Sequence, residues 1–585
     1  MLRECNRLSR VVGTLGLVLG VGVVAPVPVQ ASPAGLAVQT ASPGQLPDRW
    51  RLELEYFALL QQLDPVQSSV LGLPVAGWGL GPSSPVEVRA AADAWRALGV
   101  SANQLLAAEE RSLDLALIAY DADRRVFDLD SLRVWERDPG YPFRAIAEGL
   151  NTILLNGALG PSERLARIVA READIPRFLA GAAGHTGVPP RFLCEQAISE
   201  GEALSNFLLF GVQAAVATPE DSVLTQELVQ VTARALDAVW AYRQHLIREV
   251  LPRSTGAFAL GESLYAAQLR HVEGMTLPVA GLRDEASAEV ERLSRRFSLA
   301  CDRIAPGEGP WAALQRLAKD RPAPGNLVGF CRTTVRELHA HCRRSPLLPP
   351  PPAHGNLEVG PSPRFSSWAN ASLAVPGLFE DPEPASRFFI TLPDRAVSTA
   401  DRDAAERFLN RSQLRNLTAH ETFPGHFMQV QYLRRNSSLI RRAITSRAFT
   451  EGWAHYGESL LLESGYRAED AAFRVATLHS ALRRAGRLRI SLGLHTEGWT
   501  LEQAAAWLES ECFLERGMAR REAERAALQP LVSVYTLGRL ELEKLRRELE
   551  RTQGGFDAGE FHTALLELGA PPLYLVREAF GAPTA

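Results

Sequence analysis

Two short stretches carry the residue types that hydrolytic metal chemistry requires. "TAHETFPGHFMQV" (Thr418 to Val430) holds His420, Glu421 and His426, and "FTEGWAHYGESLLLESG" (Phe449 to Gly465) holds Glu451, His455 and Glu458. A hydrolytic zinc needs neutral imidazoles and a carboxylate converging on it, with one position left open. A second carboxylate beside the attacking water must accept its proton. In the H-E-x-x-H pattern the histidines lie four apart, and about 400° of helical rotation returns both to one face. Here Pro424 stands where the second histidine would be, and His426 follows two residues later. Six residues turn a helix through about 600°, so an ideal helix cannot aim His420 and His426 at one ion. Two readings stay open on spacing alone. Pro424 and Gly425 end the helix and the histidines are incidental, or the pair kinks or widens the turn and swings His426 back beside His420.

Glu451 extends the metal reading. It begins a second helical pattern, and a carboxylate on a following helix is the usual third ligand of a His-His-Glu zinc site. Glu458, two turns on and on the same face, either steadies a ligand histidine from behind or is a solvated surface glutamate. His455, one turn from Glu451, lines the site or packs in the core.

The elements that must position these residues read as helices. "ERLARIVAREADIPRFLAGAAG", "LVQVTARALDAVWAYRQHLIREVL" and "AAAWLESECFLERGMARREAERAAL" space their apolar residues three and four apart. Strand-like alternation is scarce, with "SRFFITL" (Ser386 to Leu392) the best short candidate. The expectation is a mainly α, large multi-helix fold with at most a small β-sheet. At 585 residues the chain is expected to form one large or two medium domains. A helical domain over 49–585 is expected, with a possible subdomain break at the proline-rich "SPLLPPPPAHGNLEVGPSP" (345–363), which suits neither helix nor central strand.

Composition narrows the function classes. Hydrophobic residues make up 46% and charged residues 22%, ordinary for a globular protein. The formal net charge is -4 and the arginines are scattered among acids, so nothing points to nucleic acid or anionic lipid as a partner. Arg3, Arg7 and Arg10 precede an apolar run from Val11 to Ala25, and Val29-Gln30-Ala31 offers a cleavage site. This is the layout of a signal peptide over 1–31, followed by a flexible lead-in over 32–48. The mature chain is expected to be exported, periplasmic or extracellular, without stable membrane insertion. No cysteine follows the apolar run, which speaks against a lipoprotein anchor. Cys194, Cys301, Cys331, Cys342 and Cys512 remain after Cys5 leaves. A Cys331–Cys342 bridge or a partner for Cys301 is conceivable, but the odd count excludes dependence on a cysteine framework.

The ordered set of motifs resembles the DUF885 family of bacterial proteins. It comprises "HETFPGHFMQ", "FTEGWAHYGE", "LGLHTEGWTLEQA", "VYTLGRLELEKLR" and "GGFDAGEFHTALLELGAPPL", with "READIPRFLAGAAGHTGVPP" upstream. The family is similar in its site to gluzincin metallopeptidases of the thimet-oligopeptidase, thermostable-carboxypeptidase and angiotensin-converting-enzyme kind. The resemblance implies a metallopeptidase-like helical fold with a deep cleft and a Zn2+ cofactor. It implies His420, His426 and Glu451 as ligands and Glu421 as general base. Tyr535 matches a tyrosine that could donate to a developing oxyanion, or it is a core tyrosine. His495 could do the same or bind a substrate carboxylate, or it is a buried structural histidine. Arg539, Arg546 and His562 are candidates to grip a terminal carboxylate, or are structural. Two positions depart from the family pattern: Phe427 stands where another histidine is common, and His455 where an aliphatic residue is usual.

The expected function is an exported zinc-dependent metallohydrolase, a peptidase acting on short peptides. The alternatives are a non-catalytic helical binding protein that keeps the zinc site, and a hydrolase of a non-peptide amide or an ester. Substrate, cleavage mode and oligomeric state are not legible in the sequence.

Overall fold

The computed structural model describes residues 47–583 apart from 74–77, 109–111, 217–221, 353–355, 364–369, 381–383 and 393–406. The expected signal peptide lies outside the described residues, as does all but the end of the lead-in. The chain divides into two units. The first takes residues up to Gly256 together with Pro376–Pro384 and Asn436–Ile444; the second takes Ala257–Val375, Ala385–Arg435 and Thr445 onward. The proline-rich segment lies inside the second unit, where Leu357–Pro361 pairs as a strand.

The first unit is helical. Its main elements are α1 (Asp48–Leu63), α2 (Pro85–Ala108), α3 (Leu113–Phe127), α4 (Tyr141–Leu155), α5 (Pro161–Ala183), α6 (Arg191–Asn206) and α7 (Ser222–His245). Sequence explains the helix starts: Ser112 accepts from the Leu115 N–H ahead of α3, and Pro161 opens α5 at a position that needs no amide donor. Each helix turns one apolar stripe inward, as with Leu165, Ile168, Ile175, Phe178 and Leu179 of α5.

The second unit carries every candidate site residue. Its main elements are α8 (Val279–Asp302), α9 (Leu327–Cys342), β1 (Leu357–Pro361), β2 (Ala371–Ala374), β3 (Ser386–Ile390), α10 (Arg411–Glu421), α11 (His426–Arg435), α12 (Arg447–Glu463), α13 (Ala471–Thr496), α14 (Leu501–Glu511), α15 (Arg516–Leu528), α16 (Val534–Thr552) and α17 (Ala558–Glu567). The protein is thus mainly α, and "SRFFI" is the central strand of the sheet. The order is β1-β3-β2, with β1 parallel and β2 antiparallel to β3. Phe388 and Ile390 of β3 are fully buried in the same core as Phe423, Phe427, Phe449 and Trp453.

The conceivable Cys331–Cys342 bridge does not form. Both thiols sit on α9, eleven residues apart, about 16 Å along the axis, and a disulfide needs Cα atoms within about 7 Å. Cys301 is free as well, and all five cysteines of the described residues are buried thiols.

Candidate metal centre

The sequence puzzle at Pro424 has a structural answer that differs from a kink. Helix α10 stops at Glu421, residues 422–425 turn, and α11 begins at His426. The Phe423–Pro424 peptide is cis. The Thr422 N–H still bonds to the Thr418 carbonyl at 2.9 Å, and the Gly425 N–H returns to Ala419 O at 3.2 Å. The turn folds back so closely that a Cβ on Gly425 would lie 1.9 Å from the His420 carbonyl oxygen. Only glycine fits there. Trp453 of α12 clamps the turn from the far side, donating its indole N–H to Pro424 O at 2.9 Å.

Folding back brings the two imidazoles together. Their ring centroids are 4.8 Å apart and the planes nearly perpendicular. Glu451 arrives from the second turn of α12. Ser446 caps that helix, and the buried Glu273 carboxylate accepts from Ser446 Oγ and from the Ala448 N–H at its positive end. Gly452 and Gly538 let α12 and α16 touch backbone to backbone; a Cβ on Gly538 would sit 1.9 Å from Ala448 O.

Glu451 Oε2 lies 3.4 Å from His426 Nε2 and 3.7 Å from His420 Nε2. These contacts are too long for good hydrogen bonds, and this buried oxygen makes none. One ligand atom from each of the three residues lies within 4.8 Å of the others, and His420, His426 and Glu451 are the one such His/Cys/Asp/Glu group among the described residues.

Behind His420 stands Glu458. His420 Nδ1 donates to Glu458 Oε1 at 2.8 Å, which fixes the proton on Nδ1 and turns Nε2 toward Glu451. Asn416 Nδ2 donates to the other carboxylate oxygen at 2.7 Å, and Arg484 donates to both at 2.9 and 3.2 Å. Arg484 Nη2 is also 3.2 Å from His420 Nδ1. Since Nδ1 carries a proton, the guanidinium is held there by Glu458. Burial opposes ionisation of Glu458, but Arg484 and His420 outweigh it and hold the carboxyl well below its usual range. Burial and Arg484 likewise push His420 down, while pairing with Glu451 and Glu458 more than offsets them, leaving the imidazole at about 9. Glu421, the last residue of α10, is shifted upward, unlike Glu458: burial raises its pKa against the pull of His426 and His420.

Tyr535 opens α16 and is buried. Its hydroxyl accepts from Arg525 Nη2 at 3.2 Å, and Arg447, Arg487 and Arg525 stand 5.2–5.8 Å from its ring centre. His455 is buried one turn from Glu451, with Nδ1 3.2 Å from Tyr535 O and Nε2 unpartnered.

The remaining candidates are engaged elsewhere. His495 packs face to face with Tyr265, its Nε2 2.9 Å from Ala526 O. Arg539 is buried between Glu289 and Glu543. Arg546 pairs with Glu463 and Glu550 and touches the Tyr456 hydroxyl, and His562 joins that hydroxyl to Leu347 O. These four side chains make these contacts with protein groups outside the cluster. A cavity of about 630 Å³ in the second unit is lined by Trp311, Phe408, His479, Arg483, Phe513 and neighbours, and by none of the three clustered residues. The residues that sequence reasoning missed are Arg484, Asn416, Arg447, Arg487 and Arg525. A signal existed for two: "ALRRAGRLRI" places Arg484 and Arg487 in an otherwise apolar stretch of α13, and buried arginine demands a partner.

Fold and site together define a mainly α-helical protein with a His-His-Glu cluster formed where one helix stops and another begins. The chain belongs to the DUF885 family, described as "Bacterial protein of unknown function (DUF885)", whose model matches residues 65–580. Two solved structures share the fold. One is described as "a putative lipoprotein of unknown function from Shewanella oneidensis", 21% identical, with a TM-score of 0.75 over 92% of this chain and 100% of that one. The other is "the putative lipoprotein from Colwellia psychrerythraea", 17% identical, with a TM-score of 0.76 over 91% and 98%. No curated protein sequence matches the chain.

Proposed function

We propose that this chain is an exported zinc-dependent hydrolase that cleaves short peptides or a closely related amide. The observation that carries the reading is Glu451 Oε2, a buried oxygen without a hydrogen bond, facing two imidazole Nε2 atoms at 3.4 and 3.7 Å. With zinc–ligand distances of about 2.0–2.2 Å, a tetrahedral site has edges of about 3.3–3.6 Å; the 3.4 Å edge falls in that range, the 3.7 Å edge lies just beyond it, and all three ligand atoms lie within 4.8 Å of one another. Two histidines and one glutamate are also the ligand set of hydrolytic rather than purely structural zinc. His420, His426 and Glu451 would hold the metal, which when bound supplies Lewis acidity to a carbonyl.

The chain's own residues supply the rest. Glu421, adjacent to a ligand and desolvated, has the raised proton affinity a general base needs. It takes a proton from the attacking water and delivers it to the leaving nitrogen. Tyr535, whose oxygen accepts from Arg525, offers its O–H as a donor to a developing oxyanion. Glu458, Asn416 and Arg484 hold His420 in the required tautomer. Export is supported by the N-terminal pattern and by the lipoprotein descriptions of the two structural relatives.

The test is zinc analysis of the purified protein together with digestion of a mixed short-peptide pool read by mass spectrometry. Wild type should carry one zinc and cleave; Glu421→Gln should keep the zinc and lose at least about 10²-fold in rate. Zinc without cleavage would favour the non-catalytic alternative, and absence of zinc affinity would overturn the site.

A further inference from the structure

We infer that Arg447 and Arg525, which frame the Tyr535 hydroxyl, form a carboxylate-binding subsite beside the His420–His426–Glu451 cluster. The ligand of this centre would then carry a negative charge close to the bond acted upon. The inference deepens, and rests on, the hydrolase reading of the centre.

Three guanidinium groups face one tyrosine ring, and among the described residues only Arg487 has a carboxylate in ion-pair contact; Glu522 acts on Arg525, and Glu451 and Glu273 on Arg447, from a distance. Arg487 makes a two-pronged pair with Glu522 at 2.7 and 2.7 Å, and both side chains are buried. Arg447 and Arg525 are half-buried and form no ion pair with any described carboxylate. Arg525 spends one donor on the Tyr535 hydroxyl at 3.2 Å. Arg447 lies one helical turn before Glu451 on α12, the spacing of a favourable ion pair. It does not pair with Glu451, whose carboxylate faces the two imidazoles, and turns to the Tyr535 ring, 5.7 Å away. Glu451 nonetheless acts electrostatically on both Arg447 and Arg487, so the cluster and the arginines share one neighbourhood.

A partly desolvated, unpaired guanidinium is an unfavourable arrangement unless an anion completes it. Arginine's planar fork matches carboxylate geometry, and two such forks converging on one hydroxyl define a site for a single carboxylate. The role expected of Arg539 and Arg546 from the sequence therefore moves to a different pair. An α-carboxylate and an acidic side chain present the same group, and the experiment separates them.

The experiment uses full-length mature protein carrying Glu421→Gln and loaded with zinc, so that binding is read without turnover. Isothermal titration compares three probes: N-acetyl-trialanine as the free acid, N-acetyl-trialanine amide, and N-acetyl-Ala-Glu-Ala amide. At least one acid should bind about tenfold to a hundredfold more tightly than the neutral amide, as charge-assisted hydrogen bonds predict. Preference for the free acid assigns an α-carboxylate, and preference for the glutamyl amide assigns a side chain. Adding Arg447→Met or Arg525→Met should remove the preference while leaving the neutral probe within about threefold. If one variant fails to fold, the other and the three-probe comparison still decide. Equal affinity for all three probes, or a preference that survives both substitutions, overturns the inference. Because binding is measured without hydrolysis, a failed peptide digest would not be mistaken for failure of the subsite.

Discussion

Replacing Glu458 with glutamine tests how the centre is built. Glu458 accepts from His420 Nδ1, Asn416 Nδ2 and Arg484, and it is 1% exposed. Glutamine keeps the shape but removes the charge, with two consequences. The first concerns the metal: an amide can present either face to Nδ1, so the tautomer lock weakens. Loss of such a supporting partner lowers metal affinity about 10- to 100-fold, or about 1.4–2.7 kcal/mol. The second concerns the fold without metal. Arg484, 3% exposed, is left without its carboxylate partner, and removing one member of a buried pair costs about 3–5 kcal/mol. The Asn416 contact survives in glutamine, so the lower end applies. Removing Arg484 as well, as Glu458→Gln/Arg484→Met, should recover part of that loss, because the unpaired cation goes with it. Zinc affinity is read by competition with a chromophoric chelator, and stability by urea denaturation in excess EDTA. The reasoning is refuted if Glu458→Gln changes zinc affinity by less than threefold and stability by less than about 1 kcal/mol. A double variant worse than the sum of its parts would equally refute the role given to Arg484.

Three further outcomes are expected. Gly538→Ala should force α12 and α16 apart, since its Cβ would meet Ala448 O at 1.9 Å. Overpacking of this kind costs about 1–3 kcal/mol, and because Glu451 adjoins the contact, zinc affinity should fall too; unchanged affinity in a destabilised protein would separate the crossing from the centre. Stripping zinc with EDTA should lower Tm, and adding zinc back should restore it, since a ligand at 1,000 times its Kd adds about 4 kcal/mol to the folded state; an unmoved Tm would count against binding to the native fold. In the first unit, Glu172 is buried, accepts one hydrogen bond from Thr232, and is raised by burial to about 7. Its folded pKa exceeds its unfolded one, so its contribution is intact below about 4.5 and is lost as pH rises through about 7. Glu172→Gln should therefore gain on wild type between pH 5 and 8.5 by up to about 3 kcal/mol, and parallel Tm profiles for the two proteins would sink this reading.

The sequence by itself determined the chemistry on offer and the kind of fold that carries it. Apolar spacing of three and four residues gives helices because the α-helical period is local, and "SRFFI" declared a strand by its β-branched and aromatic residues. The types of His420, Glu421, His426 and Glu451 were legible for the same reason, since a ligand set is a matter of composition. Spacing could say only that one ideal helix would not serve. Tertiary structure decided how the conflict resolves: the helix ends at Glu421, Gly425 packs on the His420 carbonyl, and His426 starts a new helix facing back. It also decided the partners. Arg539 and Arg546 were plausible carboxylate ligands until folding paired them with Glu289, Glu543, Glu463 and Glu550. Arg447 and Arg525 were left facing Tyr535 without a direct ion pair to a described carboxylate. Which charge neutralises which depends on distances between segments tens to hundreds of residues apart, and periodicity carries no information about those distances.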